Sequence, residues 1–159
     1  MEDFRYKNKI FMDRSFRNMT FEKADMRFCS MLDVNMAGTR IRGGGRFTGN
    51  GWESCNFFGA QYLDLTMEMD RFLSCSLGNT EFVRLTLDGV KMEKCSFAGS
   101  SFTEVQLEGC LFQNCNFRGL SLKDVVVKDT VFRKCVFNSP VREQLSSPSA
   151  VFLDCIFAC

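Results

Sequence analysis

A chain of 159 residues with 45% hydrophobic content is long enough for one domain with a buried core, and its formal net charge of +1 gives no general pull toward nucleic acid or acidic membranes. It contains no histidine, which excludes Ser-His-Asp and Cys-His catalysis, His-ligated metals and a histidine pH switch. No run of 18 apolar residues occurs, so no membrane span is expected, and the N-terminus, MEDFRYKNK, lacks the apolar core of a signal peptide.

The aromatic content is lopsided, with 18 Phe against two Tyr and one Trp, as if one structural slot were filled repeatedly by the same side chain. Reading along the chain locates that slot. A large apolar residue recurs at every fifth place: Tyr6, Phe11, Phe16, Phe21, Met26, Met31, Met36, Ile41. The comb slips by one residue at 42–46, inside RIRGGGR, and resumes at Phe47, Trp52 and Phe57 to run on to Phe132 and Phe137. A helix repeats its face every 3.6 residues and a flat strand every 2, so neither gives a period of five. Two places before each centre lies a second, usually small residue, such as Cys55, Ala60, Thr80 or Ser100. A separation of two puts both side chains on one side of an extended segment. Gly recurs two places after the centre, as at Gly59, Gly99 and Gly119. Each unit therefore reads as a three-residue strand with two inward side chains, followed by a two-residue corner. Cys55, Cys75, Cys95, Cys115, Cys135 and Cys155 are spaced by 20, which is four units and makes the coil four-sided.

The units CNFFG (55–59), CSFAG (95–99) and CNFRG (115–119) resemble the pentapeptide-repeat proteins, over residues 6–137 and again over 152–157. The resemblance implies an all-β fold: a right-handed, four-sided parallel β-helix of about seven to eight coils, forming a single domain over 1–159. At about 4.8 Å per coil the solenoid would be roughly 35 Å long. The Asp/Asn slot of the family unit is often Ser, Thr, Val or Lys here.

Candidate sites follow from the stacking. Phe97, Phe117 and Phe137 form one expected core column, and Cys55, Cys75, Cys95, Cys115 and Cys135 another. A line of parallel thiols suits neither tetrahedral zinc nor a disulfide, so free buried thiols in a reducing compartment such as the cytoplasm are expected. Cys159, outside the slot, reads as an exposed thiol. The Gly-rich stretch 40–51, with Arg40, Arg42 and Arg46, reads as a bulge at a corner rather than a phosphate cradle. Asn50 and Asp70 would stack inside and bond to backbone. Glu68, Asp88 and Glu108 would stack outside, ended by Lys128. No catalytic, metal or cofactor site is expected. Outward aliphatics cluster late in the chain, with Leu111, Val131 and Val151 in one column and Val136 and Ile156 on the next face, as a candidate interface. Residues 138–150, NSPVREQLSSPSA, read as a loop excursion before a last partial coil at 151–159, with no helix to cap the end.

The expected function is a non-enzymatic protein-interaction module with a protein partner, including a homodimer through the C-terminal end. Two alternatives come from the resemblance. One is a DNA-mimicking binder of a type II topoisomerase, disfavoured by the balanced charge. The other is the recognition domain of a larger secreted bacterial effector enzyme delivered into a host cell.

Overall fold

The computed structural model describes residues 4–158, the side chain of Ser139 excepted, so Cys159 lies outside the described residues. Its strands are almost all three residues long and pair only in parallel with strands one coil away. Four faces result. The first runs from Arg5–Lys7 to Val126–Lys128 in seven strands, and the second from Ile10–Met12 to Ala150–Leu153 in eight. The fourth runs from Thr20–Glu22 to Ser121–Lys123 in six. The third face is a ladder of single bridges, Ser15 to Asn35 and onward to Val136, that widens into the paired strands Val136–Asn138 and Ile156–Ala158. The fold is thus a four-sided parallel β-helix of about eight coils.

The corners explain the period of five. Two places after each centre the backbone turns left-handed: Asn8 at φ 54°, Asp13 at 53°, Gly59 at 71°, Gly119 at 71°. That residue's N–H donates to a carbonyl of the following coil, as in Gly49 N to Glu68 O at 2.8 Å and Asn114 N to Arg133 O at 2.9 Å. Gly, Asn and Asp recur there because they enter this region at least cost. Bulkier Phe28 and Met69 are also held at φ 54° and 59° by the same ladder.

The third face is built differently. Each unit closes a tight turn, with Ala60 N on Phe57 O at 3.0 Å and Leu120 N on Phe117 O at 3.2 Å, and positive φ at the third residue marks type II. The residue before the centre caps that turn: Asn56 Oδ1 accepts from Phe58 N at 3.0 Å, and Asn116 Oδ1 from Arg118 N at 3.0 Å. The Asp/Asn slot of the family unit therefore has a capping duty on one face in four, where Asn or Ser holds it from Ser15 to Asn116. Elsewhere the same position lies on an open strand and accepts Thr, Val or Lys.

Inside, centres stack on centres. Phe97, Phe117 and Phe137 are fully buried with ring centroids 4.9 Å apart and planes within 6°. Phe112, Phe132 and Phe152 stack beside them at 5.2 and 5.0 Å. Arg14 lies over Phe11 and Phe16 at 5.6 Å, and Arg142 over Phe157 at 4.8 Å, so a guanidinium covers rings at each end of the core.

Strand partners lie 20 residues apart until Thr20 and Arg40, then 21 apart at Asp25 and Arg46 and at Arg40 and Gln61, and 20 again from Thr66 and Thr86. The extra residue sits in the corner where Gly43 and Gly44 take φ 82° and 86°. Gly45 follows in an inner slot so tight that a Cβ would lie 2.9 Å from the Ala24 carbonyl oxygen.

The segment expected as an irregular loop at 138–150 holds a helix, α1, Ser139–Leu145. Its Pro140 sits in the first turn, and Val141 and Leu145, one helical turn apart, are buried. Leu145 falls 20 places after Val125 and fills the inner slot that a strand would have filled. The excursion expected as a loop is thus partly helical: α1 and the turn at 146–149 replace the next fourth-face and first-face strands. A seven-residue helix spans too few turns to register as periodicity.

Replacing Phe117, held between Phe97 and Phe137, by Ala is expected to lower unfolding stability by ~3–5 kcal/mol in a urea titration, the range for a buried aromatic leaving a cavity.

Candidate interaction surface

The inner slots, where buried chemistry would reside, carry structural duties. Each ladder thiol donates to the carbonyl of a centre one coil back, 24 residues earlier for Cys55, across the extra residue, and 23 thereafter: Cys75 Sγ to Trp52 O at 3.5 Å, Cys115 Sγ to Met92 O at 3.5 Å, Cys135 Sγ to Phe112 O at 3.3 Å. Thr80 and Ser100 make the same bond on the fourth face, to Phe57 O at 3.1 Å and Leu77 O at 2.5 Å. Where the slot holds Cys, Ser or Thr, the side chain thus donates as well as fills, while Val34, Ala60 and Leu120 only fill. The column starts at Arg14 and Val34 before its first Cys. The described cysteines are free, and seven of them, Cys29, Cys55, Cys75, Cys95, Cys110, Cys115 and Cys135, are buried. Burial pushes the Cys110 thiol up to about 11. Cys75 and Cys115, each between two neighbouring thiols and buried, are held far above the usual thiol value.

Asn50 and Asp70 stack in the corresponding slot of the second face. Asp70 Oδ1 accepts from Asn50 N at 2.9 Å, and Oδ2 from Trp52 Nε1 at 3.2 Å. Asn50 Oδ1 accepts from Cys29 N at 2.9 Å, and its Nδ2 donates to Met26 O at 3.0 Å. These bonds tie corners of successive coils. Burial outweighs them and raises Asp70 from its ordinary 3.8 to about 6.

The Gly-rich corner offers no open cradle on two of its arginines. Arg42 pairs with Glu22 at 3.0 Å and Arg46 with Glu68 at 3.6 Å. On the first face Glu68, Asp88 and Glu108 do stack, and Glu108 is met by Lys128 at 3.6 Å. The acidic column is thus bracketed by cations.

What remains is the second face. Its outward side chains form two columns flanking the centres. Leu111, Val131 and Val151 lie in register in one of them, the first two half-buried and Val151 exposed. Val136 and Ile156 pair on the third face, Ile156 exposed. α1 packs on the ends of the third and fourth faces, leaving Val151 and Ile156 open. Sequence reading missed three members of the second face: Leu153 beside Val151, and Ile10 and Met12 on its first strand. All are exposed, Ile10 by 74%. Counting outward positions in steps of 20 from Val131 and Arg133, with one extra residue allowed at 42–46, finds them. Near the first strand, small Ser30 and Gly51 open a hollow of about 360 Å³ walled by Ile10, Met12, Leu32, Leu73 and Arg71.

The charges of this face differ from those elsewhere. Among the described residues, the ion pairs join Arg27 to Asp25, Arg42 to Glu22, Arg46 to Glu68, Arg84 to Asp64 and Lys128 to Glu108, on the first and fourth faces and the corner after the fourth. Glu53, Arg71, Lys91 and Glu93 on the second face are exposed and stand in none of these pairs. Nor, among the described residues, do three or more Cys, Asp or Glu groups converge to hold a metal ion.

Two predictions follow from the inner slots. In native protein the seven buried thiols should resist Ellman's reagent, reacting only on unfolding; two or more disulfides would contradict the ladder. Because the folded state raises Asp70, it binds the proton more tightly than the unfolded chain. That contribution is fully present below pH 3.8 and is lost as pH rises through about 6. Relative to Asp70→Asn, the wild type should therefore lose about 2 kcal/mol of unfolding stability between pH 4 and 7.5. A pH-independent difference in urea midpoints would contradict this.

The geometry can be set beside known proteins. The family model for pentapeptide repeats matches residues 80–119 and 100–138, with eight copies. No curated protein sequence matches the chain. Among solved structures it is similar to HetL, a pentapeptide repeat protein involved in heterocyst differentiation regulation from the cyanobacterium Nostoc sp. strain PCC 7120. Identity is 11%, coverage 98% of this chain and 85% of that one, and TM-score 0.45. Rfr23, from the cyanobacterium Cyanothece 51142, is 11% identical over 80% of this chain and 87% of its own, with TM-score 0.41. QnrB1, a plasmid-mediated fluoroquinolone resistance protein, is 14% identical over 95% and 80%, with TM-score 0.40. Over residues 80–138 the chain matches the pentapeptide-repeat family model, and the same five-residue unit recurs along the described coils on either side of that stretch.

Proposed function

We propose that the chain is a non-enzymatic docking module that recognises a protein partner through its second face. The observation that carries this reading is the coincidence, on the longest sheet, of exposed aliphatics with exposed, unpaired charges. A solenoid presents each face as a flat, rigid strip, which suits recognition at little ordering cost. The inner slots support it indirectly, since their donors and acceptors are engaged in holding corners. No helix among the described residues is long and apolar enough to cross a membrane.

The DNA-mimic alternative needs a long negative strip. The first face offers Glu68, Asp88 and Glu108, with Arg46 and Lys128 bound to the outer two. The recognition-domain alternative would use the same docking face, and only a catalytic domain joined to this chain would distinguish it.

The test is affinity purification of the tagged chain under native conditions, followed by mass spectrometry. The double substitution Val131→Lys with Val151→Lys is expected to remove bound protein at least about tenfold. Ser121→Lys, exposed on the fourth face, should leave it unchanged. Equal recovery by both variants would overturn the assignment to the second face.

A further inference from the structure

We infer that the partner on the second face is a second copy of this chain, packed side by side about a two-fold axis parallel to the solenoid axis. The inference rests on the docking role of that face and names its occupant.

The face is complementary to itself. Call the outward residue before each centre left and the one after it right. A two-fold parallel to the solenoid axis keeps coils level and reverses strand direction, so each left residue faces the right residue of the same coil in the other copy. The pattern of this face fits that operation. At one end, Ile10 meets Met12 of the second copy; at the other, Val151 meets Leu153. In the middle, Lys91 meets Glu93 of the second copy, and by symmetry the same pair forms again. One coil earlier Arg71 faces Leu73, with acids Glu53 and Glu93 of the second copy one coil to either side, about 4.8 Å along the column. Gly51 has no side chain to oppose Glu53. Both cations of the left column thus face the column that holds both acids; Arg133, the remaining charge of that column, faces Val131, and no like charges meet within a coil.

The alternative two-fold, perpendicular to the solenoid axis, fits worse. It keeps left over left and reverses coil order, so centring the eight strands sets Arg71 against Lys91 of the second copy. Like charges opposed in an interface are unfavourable. The unpaired state of these charges in one copy is the second observation. Other faces satisfy many of their charges internally, whereas Glu53, Arg71, Lys91 and Glu93 keep theirs available.

The size of the face sets the strength. Eight strands at about 4.8 Å by about 10 Å of strand give a footprint of roughly 350 Å² per copy, about 700 Å² over both, which is below the range of stable complexes and fits only a weak association. The dimer is therefore reversible and forms at high concentration.

Sedimentation velocity between about 10 µM and 1 mM spans the range where such an interface dissociates. The wild type should pass from monomer to dimer. Lys91→Glu alone, and Glu93→Lys alone, should each weaken association at least about tenfold, because like charges then face each other. Mixed one to one, the two variants should recover a mixed dimer, since a copy with two acids at this level meets a copy with two bases. Both positions are exposed, and circular dichroism checks that the variants fold. Association that survives in each variant alone, or a mixture that fails to associate, overturns the inference. So does a wild type that stays monomeric at 1 mM. In that case the docking role of the face still stands or falls separately, by whether Val131→Lys with Val151→Lys releases a different bound protein.

Discussion

Everything in this molecule depends on the backbone of one coil being hydrogen-bonded, residue for residue, to the coil next to it. Short parallel strands have little stability alone; here all but the strands ending each face are paired on both sides, and even the corner N–H groups find carbonyls one coil away. That pairing holds only if coils keep the same length, so it converts a chain position into a fixed place on a four-sided lattice. Side chains then compete to suit places, not neighbours in sequence. Phe stacks on Phe with parallel planes because residues 20 apart have no other choice of orientation.

This constraint explains why so much was legible in the sequence. The centre comb and the cysteine spacing are direct images of the lattice, and they identify four sides, inward columns and outward columns. Less legible was what each side requires. The second slot looked merely small until Thr80, Ser100 and the thiols proved to donate to the same kind of carbonyl. The Asn/Ser position looked irregular because only the third face closes a type II turn there. α1 was hidden because it keeps the lattice count: Leu145 stands where a strand residue would stand, so a single inward apolar residue cannot reveal which backbone carries it.

On the candidate surface the sequence located the late aliphatic column but not its extent. Ile10 and Met12 lie more than 100 residues before Val131, on the same strip. Their relation appears only when columns are followed through the extra residue at Gly43–Gly45, which shifts the numbering by one. Charge gave still less: Lys91 and Glu93 look like ordinary solvated residues in the sequence, and their lack of partners is visible only beside the paired charges of the other faces. The faces therefore share one backbone and differ in how fully each satisfies itself.

The helix that replaces a strand has a consequence beyond capping. A β-helix cut square presents four open strand edges in one plane, a template onto which another solenoid could add and so grow without limit. Here α1 and the turn after it stand in for two sides of the square, while Ala150–Leu153 and Ile156–Ala158 continue the other two. The result is a step, half helix and half strand. A coil laid on that level finds strand edges on two sides only, so the helix halves the backbone hydrogen bonding available there.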